Sequence, residues 1–128
     1  MLHNLLADYL NRVEQAILSC KAAYVERYIE EILTPERVNL RIRIRFEPGH
    51  LLEINEAVVV LDGQRVALDY RYHCQDDQNR LLFRYDSTPH FPQLPTFPHH
   101  KHLPTETISS PQPDLLQVIT EARFAKDN

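Results

Sequence analysis

The residues able to do chemistry in this chain crowd into one stretch. Arg84-Tyr85-Asp86-Ser87-Thr88-Pro89-His90-Phe91-Pro92 is soon followed by Phe97-Pro98-His99-His100-Lys101-His102, so four imidazoles, a guanidinium, a carboxylate and an ammonium fall within positions 84–102. Histidine gives and takes protons near neutrality, and prolines stiffen the backbone that would hold several imidazoles in place. A second group is Arg41, Arg43 and Arg45, alternating with Leu40, Ile42 and Ile44. On a strand their side chains share one face and repeat every ~7 Å, a spacing that suits successive RNA phosphates gripped by guanidinium forks. By the same alternation Asp69, Arg71, His73, Arg84 and Asp86 join that face. A base for the ribose hydroxyl, an acid for the leaving oxygen and arginines for the charged transition state are what metal-free RNA cleavage requires. The candidate catalytic residues are therefore His73, Arg84, Asp86, His90, His99, His100 and His102. Arg41, Arg43, Arg45, Arg71 and Lys101 are the candidate RNA-binding ones. The plainer alternatives are a solvated histidine loop and a sheet face whose charges pair with one another.

This chemistry needs no metal or cofactor. A metal-dependent hydrolase is the further alternative, with His90, His99, His100 and His102 as the nitrogen donors for a divalent ion. Adjacent imidazoles such as His99 and His100 point apart, and no cysteine pair adds to them. Glu56 is a separate oddity: it interrupts an apolar strand face, and a buried carboxylate must be hydrogen-bonded or functional. Pairing across a three-residue turn around Gly63 sets Tyr70 opposite it as the candidate hydroxyl partner. Tyr70, Tyr72, Phe83 and Tyr85 form an aromatic band on that inner face, suited to core packing more than to base stacking.

Positioning these groups calls for a small α+β fold. Leu2, Leu5, Leu6, Tyr9, Leu10, Val13, Ala16, Ile17 and Cys20 recur at spacings of three and four, predicting an amphipathic helix over about 2–20. From about 24 to 86 the pattern has period two. Val38–Phe46, Leu51–Leu61, Val66–Cys74 and Leu81–Tyr85 read as strands separated by Pro48-Gly49, Asp62-Gly63 and Asp76-Asp77-Gln78-Asn79. The segment 24–33 suits helix or strand; Thr34-Pro35-Glu36-Arg37 behind it favours a strand closing a first hairpin. A four- to five-stranded antiparallel meander is expected. A three-residue loop of Pro48, Gly49 and His50 would pair Phe46 with Leu52, Ile44 with Ile54 and Arg45 with Glu53, keeping apolar faces matched. Seven of the nine prolines fall in 87–113, so 87–110 is expected to be a long loop, followed by a short helix over about 111–125.

Composition sets the outer limits. The 128 residues, 43% hydrophobic and 25% charged, make one domain's worth of globular chain (1–128) and exclude wholesale disorder. Apolar runs such as Val58–Leu61 are too short to span a bilayer. The start, Met1-Leu2-His3-Asn4, has no secretory pattern, and Cys20 and Cys74 lie far apart, so a reducing cytoplasm is expected. The net charge of -4 excludes a globally basic nucleic-acid binder but not a basic patch.

Leu51-Leu52-Glu53 with Glu56, Tyr70-Arg71-Tyr72-His73, Arg84-Tyr85-Asp86 with Pro89-His90, and Thr96-Phe97-Pro98-His99-His100-Lys101-His102 together resemble the TumE family of prokaryotic toxin–antitoxin systems. The resemblance runs from about Val38 onward; the N-terminal helix matches in character only. It implies growth inhibition and a cognate antitoxin, a DNA-binding protein encoded nearby, with RNA as the expected target. A helix on an antiparallel meander is also the plan of RelE-like ribonuclease toxins, although fold alone does not establish activity. The expectation is thus a small ribonuclease toxin of the RNA interferase kind, with a homodimer as a candidate assembly. A non-enzymatic module that binds nucleic acid or protein is the alternative.

Overall fold

The computed structural model of the chain describes residues 1–125. Its order is α1 (Asn4–Leu18), β1 (Ala23–Thr34), β2 (Arg37–Phe46), β3 (Leu51–Leu61), β4 (Gln64–Gln75), β5 (Leu81–Asp86), β6 (His100–His102), β7 (Thr107–Ser109) and α2 (Leu115–Arg123). All seven strands form one antiparallel sheet in sequence order, a pure meander. Period-two patterning resolves four strands and, with 24–33, five. The other two lie in the segment expected to be a loop throughout. Residues 87–99 and 103–106 do lie outside strands, but His100–His102 and Thr107–Ser109 form a short hairpin on the edge of β5. Three-residue strands are too short to show a period, and the pairing offered by β5 decides their conformation.

Both helices pack on one face of the sheet. Leu6, Tyr9, Leu10, Val13 and Ile17 of α1 and Leu115, Val118, Ile119 and Ala122 of α2 are buried against Val38, Leu40, Ile42, Ile44, Ile54, Tyr72 and Phe83. Each large apolar side chain removed from water there contributes about 1.5–3 kcal/mol, enough to hold a 15-residue helix in place. His3 Nδ1 accepts from Leu5 N at 3.0 Å to cap α1, and Asp114 accepts from Leu116 N at 3.1 Å to cap α2. Pro111 and Pro113 lie ahead of that cap rather than in the first turn. The far face of the sheet carries no helix among the described residues, which leaves the polar parity of every strand turned outward.

Two turns correct the expected registers. The loop after β2 is Glu47-Pro48-Gly49, one residue earlier than expected. Ile44 therefore pairs with Leu52, Ile42 with Ile54 and Arg43 with Glu53. Gly49 sits at φ +110° and closes the turn through its N–H to the Phe46 carbonyl. His50 thereby stacks on Phe46 and bonds the Ala122 carbonyl through Nε2 at 2.7 Å. A two-residue shift of register preserves side-chain parity, so face matching could not exclude it. At the next turn Leu61 pairs with Gln64 around Asp62-Gly63, both at positive φ, the two-residue hairpin geometry. A bulge between Ala57 and Val58 then shifts the ladder by one, so Glu56 faces Tyr70 as expected, by a different route.

Candidate nucleic-acid interface

The register lines the candidate residues up in two rows across the open face. One row runs Arg41, Asn55, Arg71, Asp86, His100; the next runs Arg43, Glu53, His73, Arg84, His102. The arginines of β2 and the histidines of β6 thus share a face. Arg43 and His102 stand four strand spacings apart, about 19 Å, too far to touch one phosphate. Arg43 and Arg45 are also engaged. Arg43 binds Glu26 and Glu53 at 2.8 Å each, and Arg45 binds Glu26 at 3.2 Å and the Gly49 carbonyl at 2.9 Å. Hydrogen bonds from Arg43 and Arg45 hold the Glu26 carboxyl below its usual range. At this end of the row the plainer expectation, charges satisfying one another, describes the contacts.

The other end is different. Asp86 and His100 are buried although they belong to the open face, because the proline-rich segment folds back over them. Phe91, at φ +57°, sets its ring edge-on to His100 and His102 at centroid distances of 5.3 and 5.9 Å. A left-handed phenylalanine is uncommon and needs its surroundings to hold it there. Asp86 Oδ1 lies 2.8 Å from His100 Nε2 and accepts from Thr88 N at 3.1 Å. Asp86 Oδ2 lies 3.4 Å from His102 Nε2 and 3.5 Å from Arg84 Nε. The two imidazoles meet through their Nε2 atoms at 3.1 Å. Arg84 Nε is buried and without a hydrogen-bond acceptor among the described residues.

Arg71, Arg84, Asp86, Thr88, His90, Phe91 and His102 enclose a cleft of about 480 Å³. Arg71 and Thr88 also border a neighbouring furrow of about 640 Å³ whose walls include Arg37, Arg41, Asn55 and Asp69. The two hollows therefore lie side by side on the sheet, with Arg71 and Thr88 bordering both. Burial, seconded by the Arg84 guanidinium, lowers the affinity of His102 for a proton below that of a free imidazole. Burial does the same to His73, whose Nε2 bonds Gln75 Oε1 while Nδ1 has no partner among the described residues.

Three candidates stand away from this cleft. His99 turns to the side of Tyr70, stacks on it and shares a 2.9 Å hydrogen bond with its hydroxyl. Lys101, between His100 and His102, points to the helix-covered face. There it binds Glu121 at 2.8 Å and lies over the Tyr85 ring. Glu56 is on that inner face too, but Tyr70 is not its partner: Tyr9 donates to it at 2.5 Å and Tyr72 donates to its other oxygen. Only the docking of α1 brings Tyr9 there. Burial raises the Glu56 carboxyl above its ordinary value despite both hydroxyls. Thr88 and Thr107 are parts of the site that sequence patterning passed over. The sequence carries no signal for Thr107, whose hairpin is too short to show a period.

No curated protein and no solved structure matches the chain, and among the described residues no helix is long and apolar enough to cross a membrane. A family model described as Toxin TumE matches residues 13–124. That span takes in the whole sheet, the histidine hairpin and α2, and the chain belongs to the TumE toxin family.

Proposed function

We propose that this toxin is an endoribonuclease that seats RNA in the cleft between β4, β5 and the proline-rich segment. The observation that supports it most is the meeting of the Arg71 and Arg84 guanidinium groups with the imidazoles of His90 and His102 in one cleft, where Arg84, paired at its Nε with Asp86 at 3.5 Å, keeps a quarter of its side chain exposed. A phosphate oxygen is the acceptor a guanidinium fork fits best. Arg71 then leads to the furrow of Arg41, where the next phosphates of a single strand would lie. Arg43 and Arg45 extend the face but stay engaged with Glu26.

In this reading His102, biased toward its neutral form, takes the proton of a ribose 2′-hydroxyl as the oxygen attacks the neighbouring phosphorus. His90 at the exposed lip gives a proton to the departing 5′-oxygen, and Arg84 and Arg71 stabilise the added charge. Asp86 positions His100 and His102, while His100, His99 and Lys101 do not touch substrate. His73, beside Arg84, is a positioning group. The reading includes a cognate antitoxin as partner, a homodimer as the assembled form and the cytoplasm, where RNA is at hand, as the place of action.

The test is cleavage of a mixed-sequence RNA by purified toxin at low salt. Arg84→Ala should lower the rate by two to three orders of magnitude, the usual effect of removing one charge-stabilising donor. Arg84→Lys should restore little, because a point charge does not reproduce the fork. A folded toxin that binds RNA without turnover would replace this reading with the non-enzymatic one. One that neither binds nor cleaves RNA would remove both.

A further inference from the structure

Asp86, His100 and His102 bring three donor atoms to one point. All lie within 4.8 Å of one another. The two Nε2 atoms stand 3.1 Å apart, and the two oxygens of Asp86 divide between them, Oδ1 at 2.8 Å from His100 Nε2 and Oδ2 at 3.4 Å from His102 Nε2. Ligands held at about 2.0–2.2 Å from a common ion stand about 2.8–3.1 Å apart at octahedral angles and about 3.3–3.6 Å apart at tetrahedral ones. The three contacts fall within that span, with both carboxylate oxygens turned toward the imidazole nitrogens.

The far nitrogens are committed as well. His100 Nδ1 is 2.8 Å from the Pro98 carbonyl, an acceptor only, so Nδ1 carries a hydrogen and Nε2 is the nitrogen turned to the site. Nε2 faces the Asp86 carboxylate, an arrangement satisfied either by a hydrogen on Nε2 or by a cation held between the two groups. His102 Nδ1 is 3.2 Å from Thr107 Oγ1, which accepts from it when Nε2 ligates. An imidazole whose second nitrogen is fixed by a carbonyl or hydroxyl is the usual build of a metal-ligating histidine. Pairing of β6 with β5 supplies all three donors, with Phe91 packed against both rings.

We propose that Asp86, His100 and His102 bind one divalent transition-metal ion per chain, zinc or an ion of similar ligand preference. Two imidazoles and a carboxylate suit such an ion and leave coordination positions open, in the wall of the cleft that Arg71, Arg84 and His90 complete. There the ion would supply Lewis-acid chemistry toward a phosphoryl oxygen or an activated water. His102 would then serve as a ligand, and proton transfer would fall to His90 and that water. The site does not depend on RNA being the substrate, because its occupancy is measured without RNA.

The experiment is calorimetric titration of the tag-free full-length chain with Zn²⁺ after chelator treatment and desalting, repeated with Co²⁺ followed by visible absorption. One ion per chain is expected. His102→Gln should weaken binding tenfold or more, the effect typical of losing a metal-orienting group or ligand. His90→Gln, in the same cleft but outside the donor set, should bind like the parent. Asp86→Asn repeats the test at the carboxylate. His102 is the more accessible position should burial make the Asp86 variant unfold. Absence of saturable one-to-one binding by the folded parent overturns the proposal, with a single proton on His100 then occupying the gap to Asp86. Unchanged binding in folded His102→Gln overturns it equally. Metal binding without RNA cleavage would uphold this site and remove the ribonuclease reading. Cleavage by a chain that binds no metal would do the reverse.

Discussion

At the scale of single residues, burial decides what each candidate can do. His100 and Asp86 carry reactive side chain types, yet both are buried, His100 against the Phe91 ring, which suits them to orienting or ligating. His102, with 19% of its side chain exposed, is the group placed between them and the cleft. His102→Ala should therefore depress cleavage strongly, whereas His99→Ala should act through stability, since it removes the partner of the Tyr70 hydroxyl. Measuring rate and melting temperature for both variants separates the two effects. Glu56 offers a pH test. Burial raises its folded-state value above that of the unfolded chain, opposed by the Tyr72 and Tyr9 hydroxyls and by Arg65, with Asp114 adding to the rise. Its contribution to stability is thus fullest at low pH and is lost as pH climbs through the raised value. Glu56→Gln should gain in melting temperature relative to the parent between pH 5 and pH 8. A constant difference across that window would mean that the carboxyl is not perturbed.

At the scale of elements, the turns carry the registers that align the two rows. Gly49 needs its φ of +110°, and an added Cβ would stand 2.9 Å from the Asp77 Cβ. Gly63, at φ +72°, has nothing within 4 Å of such an atom. Gly49→Ala should accordingly cost clearly more stability than Gly63→Ala, for which about 1 kcal/mol is expected from the backbone alone. Denaturant melts of the two variants measure the difference, and equal losses would mean that the Asp77 side chain yields freely. The β6–β7 hairpin is the element most exposed to such losses. It is short, lies at the sheet edge, and is held by β5 and by Thr96 Oγ1, which donates to the His99 carbonyl and accepts from Ser110 N. Thr96→Val keeps the shape and removes both bonds. It should loosen the histidines and reduce activity with only a modest fall in melting temperature, the size of two ordinary hydrogen bonds.

At the scale of the whole molecule, a chain of net charge -4 offers RNA a local patch rather than a positive body. Affinity on this face should be carried by few phosphate contacts and should fall with salt on a correspondingly shallow slope. Arg71→Ala should lower the slope of log affinity against log salt by about 0.7, the value for one phosphate contact on a single strand. An unchanged slope would move RNA elsewhere. The covered and open faces explain how the same molecule keeps its core and its site apart. Helices take the apolar parity of β2–β4, and the polar parity is left free except where the proline-rich segment folds over β5 and β6.

Much of this was legible in the sequence. Strict alternation in Val38–Phe46 and the heptad-like stripe of α1 dictate a helix on a sheet, because each pattern has only one face to bury. The same alternation assigns Arg41, Arg71, His73, Arg84 and Asp86 to a common side. Which of them are free and which are spent was settled by lateral neighbours that no period reveals. Glu26 of β1 claims Arg43 and Arg45, and α2 supplies Glu121 to Lys101. Docking of α1 brings Tyr9 to Glu56, and Tyr72 of β4 rather than Tyr70 takes its other oxygen. The meeting of Asp86 with His100 and His102 belongs to tertiary structure alone. It depends on a three-residue strand pairing with β5 across a proline-rich connection, and side-chain spacing along the chain carries no record of that closure.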